Sequence, residues 1–599
     1  LDTIKDVVIR MNHLTILVYQ FIKAYYLFCL QSKLETPILD MKFIELCYKV
    51  LTVRDKRGRR LDTDRQMMFD KLDQFYNDHF QVIAGPKMER INLGPIIEYA
   101  SVTIHTALQN NIKVHFVKRL FRYMNIQFNV PKKPKTDREK LMRQEIGILK
   151  KDLLAGTTTC DQVYHHWLSV NRSLLVPKEF EKSINYDLAC NPLKYLPYSI
   201  WINQQLESKG AKLFHTLPLR TSTVPKCIDI DTTVIIKLLL DGNKQSYAEN
   251  VKLVKPTVWN KFFDLTNDIF KPPKGYTFDD AIKTDGISVS VRFVRSDHYG
   301  KFRKPKQPKE TEEFTYLDDL SQDKKNEIKQ TMHPVYVDPN KGNLIYCIDD
   351  KNTVFRYTRK QRLIETQRLK NQRAINKFNK DNNLKPIETS VSEENSKTCN
   401  FEKFMKYLNI KNEANNKLFV YYEKEVIRKM NLRTYINTQR SESKLIRNMR
   451  RIYGENTVLI YGDCNVGKQM KHIISTPMIG LKRTLAKYFP VYNFDEFRTS
   501  CLDWRTEKYN SNAKVKLVNG NTKSLHSVLV SKIPKYNSSG DEYFVPSFQN
   551  RDRNSVMNIR KLSQLCFDGE PRPLKYQRGI KLLDNGDIAI IEEQVMTAA

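Results

Sequence analysis

Three short apolar runs in the C-terminal half of the chain each end on an acid, and they constrain the fold more than anything else in the sequence. Val335, Tyr336 and Val337 run into Asp338; Val458 to Tyr461 run into Gly462 and Asp463; Val491 to Phe494 run into Asp495 and Glu496. Short runs rich in β-branched and aromatic residues, bounded by turn formers, read as strands. A helical stretch, Gly480 to Tyr488, separates the last two, so the order is strand, helix, strand. That order predicts an α/β sheet with acidic side chains at strand C-termini. The first run turns through Pro339 to Gly342 into Leu344 to Ile348, a hairpin. A further acid, Asp552, precedes the apolar Val556 and Ile559 and is expected to cap a helix.

These acids sit in a strongly basic protein. Across 599 residues, 100 Lys and Arg face 67 Asp and Glu, a formal net charge of +33. The surplus suits a polyanion, either nucleic acid or an anionic membrane. A lysine-rich proteome is the plain alternative, since Asn, Ile and Tyr are abundant as well. Cleaving a phosphodiester requires an activated water and relief of charge on the attacking and leaving oxygens, which two magnesium ions about 4 Å apart supply. Magnesium takes oxygen ligands, so separate carboxylates suit it. Asp338, Glu496 and Asp552 are candidates for such ligands. An acid after a strand is commonplace, however, and spacing alone leaves a purely structural role open.

The most apolar stretch, Leu14 to Leu30, is interrupted by Gln20 and Lys23 and reads as a buried helix rather than a bilayer span, so no membrane partner is expected. The chain opens on Leu1 with no secretory signal, and further N-terminal residues are expected. Ten cysteines, with no Cys-x-x-Cys, argue against a disulfide framework and point to a reducing compartment.

Residues 1–211 carry apolar residues at helical spacing, and basic clusters such as Arg54 to Arg60 and Lys132 to Lys135 punctuate them, as solvated loops or as phosphate contacts. From Leu213 through Val224, Ile228, Ile230 and Val234 the pattern turns to short strands. It ends in an alternating strand, Ile287 to Phe293, after the turn Thr284-Asp285-Gly286. Lys301, Arg303 and Lys304 lie in a basic, proline-broken linker. Two basic helical tracts follow, Arg356 to Lys380 with Arg359 and Arg362, and Lys424 to Arg451; they are solvated faces or nucleic-acid contacts. The polar segment Asn382 to Thr398 between them is expected to be mobile.

A competing motif needs weighing. Gly462, Gly467 and Lys468 have the spacing of a phosphate-binding P-loop, with Asp495 and Glu496 as a Walker B-like pair. Gln469 replaces the Ser or Thr that would meet magnesium, Asn493 interrupts the apolar strand, and the two elements stand too close together. An ATPase is the weaker reading.

Taken in order, the motifs resemble those of the Fanzor proteins, eukaryotic and giant-virus relatives of the transposon-associated TnpB nucleases. Leu217-Pro218-Leu219, Val224-Pro225 and Ile230-Asp231-Thr232, then Thr284-Asp285-Gly286, are similar to its β module. Asp338-Pro339, Tyr461-Gly462-Asp463, Asp495 to Ser500, and Asn550 to Asn554 with Asn558-Ile559 are similar to its RuvC blocks. The resemblance spans roughly 213 to 573. It implies an α/β multidomain protein: a helical recognition region (1–211), a β-rich WED-like module with the basic linker (212–330), and an RNase H-like RuvC nuclease domain (331–599). That last domain carries a helical insertion at about 351–452 and a degenerate zinc-finger lobe at about 501–547.

The activity implied is RNA-guided, magnesium-dependent DNA endonuclease action in the nucleus or in viral or host cytoplasm. The implied protein is a monomer bound to an omega-type guide RNA and acting on double-stranded DNA. Asp338, Glu496 and Asp552 become the metal ligands, Asp463 an auxiliary candidate, and Arg498 a phosphate contact or an ion-pair partner. Lys301, Arg303, Lys304, Arg359 and Arg362 are candidate nucleic-acid contacts. Two departures matter. Asn340 stands where the family has glycine, at a turn whose positive φ Asn tolerates. Of the zinc cysteines only Cys501 remains, with Trp504, Ser531 and Pro534 at the other positions, so no zinc is expected. The loss leaves open a nuclease-dead RNA-guided binder, and leaves the lobe either packed or loose.

Overall fold

The computed structural model describes residues 2–53, 61–89, 93–132, 134, 136–242, 244–301, 313–463, 476–580 and 582. The basic cluster Arg54 to Arg60, Lys133 and Lys135, Arg303 and Lys304, and Gly467 to Gln469 of the P-loop reading lie outside the described residues. The chain is a mixed α/β protein that divides into two compact units, residues 1–310 with 375–432, and residues 311–374 with 433–599.

The first unit is built on the helix Asp2–Gln31, which buries Val7, Val8, Leu14, Val18, Phe21 and Ile22. This helix is long and apolar enough to cross a membrane, and 72% of its most apolar window is buried inside the protein. The two residues that interrupt its stripe are themselves buried. Gln20 accepts from Asn412 Nδ2 at 3.0 Å, and Lys23 donates to the Ser396 carbonyl at 2.8 Å while lying 4.3 Å from the Phe404 ring centre. The segment expected to be mobile is therefore ordered. It contains the helix Leu384–Ser390 with Leu384 buried, and Thr398 donates to Glu207 at 2.8 Å.

Only one strand forms where several were expected between Leu213 and Val234. Strand β1 (Ile228–Asp231) ends at Asp231, whose carboxylate accepts from Val234 N at 2.9 Å and starts the helix Thr232–Leu239. The helix Val251–Phe262 follows, and strands β2 (Tyr276–Thr284) and β3 (Val289–Arg295) complete an antiparallel sheet in the order β1-β2-β3. The stretch 212–330 is thus mixed rather than β-rich, because an N-capping aspartate outweighs the β-branched residues after it. The turn Thr284-Asp285-Gly286 is as expected: Asp285 accepts from Ile287 N at 3.0 Å and Ser288 N at 2.7 Å, and Gly286 has φ +83°. The alternation expected in β3 is not kept, since Val289 is 47% exposed and Val294 is buried. The β2/β3 register slips between Phe278 and Ile282, where Asp280 has φ +44°.

The second unit holds a five-stranded sheet in the order β6-β5-β4-β7-β8. Its members are β4 (His333–Asp338), β5 (Asn343–Asp349), β6 (Val354–Thr358), β7 (Thr457–Gly462) and β8 (Val491–Phe494). Strands β4 to β6 are antiparallel, whereas β4, β7 and β8 run parallel. Both faces are covered. Tyr336, Ile348, Val458 and Ile460 pack on Val556, Ile559 and Leu562 of the helix Arg551–Phe567. Val335, Val337, Leu459 and Tyr461 face Leu445, Met449, Leu481 and Leu485. Burial on both faces is why these strands read as continuous apolar runs. A second, antiparallel sheet, β9 (Ser511–Lys516), β10 (Thr522–Tyr536) and β11 (Glu542–Asn550), feeds directly into the helix Arg551–Phe567.

Candidate metal centre

The acids reach one place because of where their elements end. Central β4 stops on Asp338, its parallel neighbour β7 on Gly462, and β8 two residues before Glu496. The helix Arg551–Phe567 brings in Asp552 through its first turn. Asn550, not Asp552, caps that helix: its side chain accepts from Asp552 N at 2.9 Å and Arg553 N at 3.0 Å. Capping by Asn550 frees the Asp552 carboxylate for other work.

Asp338 and Asp552 are buried. Ser555 donates to Asp338 Oδ1 at 2.8 Å, while Asp338 Oδ2 is buried with no hydrogen-bond partner among the described residues. Burial, then the charges of Glu496 and Asp552, push the Asp338 carboxyl well above the usual carboxylate range, against the Ser555 bond and nearby Arg551. Asp552 is held instead by amides, Oδ1 by Asn340 Nδ2 and Oδ2 by Asn343 Nδ2 at 2.5 Å. Gly462 lets Glu496 in. A Cβ there would collide with Glu496 Oε2 and come within 3.1 Å of Pro339 Cδ. Because the first atom met is the far end of a side chain, Gly462→Ala is expected to leave the thermal transition within a few degrees. It should nonetheless displace the Glu496 carboxylate by about 1 Å, a shift that costs on the order of 10² in rate. Melting curves and single-turnover cleavage on the same preparation check both halves.

The other expected residues have different employment. Asp463 accepts from the Tyr316 hydroxyl at 3.2 Å and from the Glu496 backbone N–H at 3.3 Å. Asp495 pairs with Arg572 at 3.0 Å and with Arg578 at 2.5 Å. Arg498, with φ +63°, donates to the carbonyls of Lys575 at 2.9 Å and Ile580 at 2.6 Å, and among the described residues it forms no ion pair of the kind weighed from sequence. Arg362 is 14% exposed at its side chain and pairs with Glu442 at 2.9 Å. Arg359 opens the helix Arg359–Glu365 and is half-buried, and Lys301 is exposed.

The lobe at 501–547 is ordered by a polar network at its base. Asp503 is fully buried and accepts from Arg505 at 2.9 Å and Gln549 at 2.6 Å, and Arg505 also donates to Ser531 at 3.0 Å and Ser547 at 3.3 Å. Burial drives the Asp503 carboxyl up, but the Arg505 and Ser531 bonds outweigh it and hold it below its ordinary value. Asn554, fully buried, donates to the carbonyls of Thr499 and Leu502, tying this base to the Asp552 helix. On the far side, Phe544 and Phe548 of β11 share a face with Lys532 and Pro534 of β10 by register, and Phe548 is 67% exposed. Sequence reading passed over this aromatic and basic face. Its signal was the alternation Phe544, Pro546, Phe548.

Among the described residues no group of three or more His, Cys, Asp or Glu side chains stands ready-made as a cation cage. The charges of Glu496 and Asp552 act on Asp338, yet the three acids do not form such a group. The bond-free Asp338 Oδ2 and the all-oxygen donor set fit a hard divalent cation such as magnesium rather than zinc. A family model described as a domain of unknown function (DUF8286) matches residues 228–295, which run from β1 to β3 in the first unit. No curated protein matches the chain.

Proposed function

We propose that this protein is a magnesium-dependent DNA endonuclease with a RuvC-like centre, directed to its target by a bound guide RNA. The observation that carries the hydrolase half is the Asp338 carboxylate, buried with one oxygen bond-free and crowded by the charges of Glu496 and Asp552. A mixed sheet whose central strand ends on the first acid, crossed by a helix bearing the last, is what an RNase H-like nuclease of the resembled family requires. Asp338, Glu496 and Asp552 would hold magnesium. The metal would supply an activated water and neutralise charge on the leaving oxygen. The chain's own part is to fix those carboxylates: Ser555 orients Asp338, the Gly462 gap admits Glu496, and two amides orient Asp552. The net charge of +33 and the Phe544/Phe548 face suit a polyanion with stackable bases. RNA guidance itself rests on the ordered motifs.

The test is to sequence RNA that copurifies with the protein and to assay magnesium-dependent cleavage of DNA matching it. Glu496→Gln is expected to abolish cleavage, and Asp463→Asn to leave it within about tenfold, a loss set by disturbed orientation rather than by a missing ligand. The reverse ranking would move the third ligand to Asp463. Absence of a discrete RNA species would end the guided reading while leaving the nuclease reading to stand on its own assay.

A further inference from the structure

We infer that Asn340 and Asn343 are positioning residues, a two-point amide clamp that fixes Asp552 for cation binding from the β4–β5 turn and the first residue of β5. This rests on the metal-centre reading above. Asn340 occupies the position at which the resembled family has glycine, and the sequence suggests a backbone reason for that exchange. The structure gives a different one. Asn340 is not among the described non-glycine residues with positive φ, whereas Asn129, Asn352 and Asn383 are. Its backbone is ordinary, so its side chain is what the position uses.

The geometry leaves that side chain one orientation. Asn340 Oδ1 accepts from Lys341 N at 2.6 Å, so Nδ2 must point the other way, where it donates to Asp552 Oδ1. Asn343, the first residue of β5, donates to Asp552 Oδ2 at 2.5 Å. The loop is preset for both bonds: Asn340 N donates to the Asn343 carbonyl at 3.1 Å, and the Gly342 carbonyl accepts from Arg359 N at 2.9 Å. The backbone of Asp552 is fixed independently by the Asn550 cap.

The chemistry of the clamp suits a cation ligand. An ionised carboxylate offers about four lone-pair sites, and two amides take one from each oxygen, leaving one on each for a metal. Amides meet both oxygens without bringing positive charge, whereas a Lys or Arg in the same place would compete with the cation for the carboxylate. Asp338 receives one hydroxyl and keeps an oxygen with no partner among the described residues, so Asp552 is the ligand oriented at both oxygens and Asp338 the one with an open oxygen. Partners that orient a metal ligand typically contribute about 10–100-fold in metal affinity.

The test maps metal occupancy without relying on cleavage of DNA. Fe²⁺ is loaded into the purified ribonucleoprotein in place of magnesium, and ascorbate with peroxide then cuts the polypeptide beside bound iron; fragments ending near residues 338 and 552 report occupancy. Asn340→Gly, which supplies the family residue, and Asn343→Ala are each expected to raise the Fe²⁺ concentration for half-maximal scission about tenfold or more. Asn340→Asp keeps the shape but replaces the donor with a negative oxygen. It is expected to shift the half-point further than Asn340→Gly, with thermal transitions of all three variants near that of the wild type. Half-points for Asn340→Gly and Asn340→Asp within about twofold of wild type, while Asp338→Ala abolishes scission, would overturn the clamp and spare the metal centre. Scission at these positions that survives Asp338→Ala would overturn both.

Discussion

Asp338→Asn is expected to abolish magnesium-dependent cleavage, by on the order of 10³ or more, and at the same time to make the metal-free protein more resistant to heat. The two effects have one cause. In the absence of a cation the buried Asp338 carboxylate is crowded by Glu496 and Asp552, and its proton affinity rises well above that of a free aspartate. The folded state therefore binds this proton more tightly than the unfolded chain. Stability contributed at this group is fully present in acid, below the unfolded value, and is lost as pH rises through the elevated folded value. At neutral pH the wild-type protein bears that loss and the neutral amide does not. Removing such functional strain commonly yields about 1–2 kcal/mol, and about 2–4 °C accompanies each kcal/mol for a body of this size. Paired melting curves in EDTA at pH 7.5 and pH 5 should show the variant ahead at the higher pH, with a smaller lead at the lower. A variant that loses activity but melts below wild type at both pH values would mean that Asp338 is held by structural bonds rather than kept for a cation.

The sheet that carries this centre was legible because its strands are buried on both faces and end abruptly. Val491–Phe494 is the strand the apolar run marks out, and β7 extends the run at Val458 by one residue before it and by Gly462 after it. Asn493, an irregularity in the sequence pattern, is absorbed by partners no local reading could supply: its N–H and Nδ2 donate to the carbonyls of Thr315 and Phe314. The choice of Glu496 over Asp463 came from resemblance. The contacts that distinguish the two residues, Asp463 with the Tyr316 hydroxyl and Glu496 in the gap at Gly462, join segments far apart in sequence. Where local rules competed, the stronger one was not always visible: Asp231 converts a β-branched run into a helix by capping it, and Asn550 pre-empts Asp552 at the next helix start. At the base of the 501–547 lobe, no local pattern marks the bonds from Gln549 and Arg505 to the buried Asp503.

Lys23→Met is expected to stabilise the first unit by about 2 kcal/mol at pH 7, and the advantage should turn into a deficit of about 1 kcal/mol as pH rises from about 8 to 10.5. Lys23 is wholly buried in the helix Asp2–Gln31, and burial lowers its pKa from 10.5 to about 8, against the opposing pull of Cys399 and Glu207. With the folded value depressed, the unfolded chain holds a proton that the folded protein has released between those limits, so stability rises with pH across that window and is flat below it. The drop corresponds to about 3 kcal/mol of buried-charge cost at neutral pH. Methionine removes this cost but strands the Ser396 carbonyl, which returns about 1 kcal/mol. Urea unfolding of both proteins at pH 7, 9 and 10.5, followed by tryptophan fluorescence, isolates the group, because every other titration cancels in the difference. A gap that stays constant across pH would show that Lys23 is not charged at the expense of the fold. The lysine's compensation is specificity. With Gln20, which accepts from Asn412, it gives the otherwise apolar helix two polar points that match the 396–412 segment at one register. The methionine variant is accordingly expected to be more stable while exchanging the amide protons of the helix Phe401–Tyr422 faster, since greasy packing alone leaves that register less strictly defined.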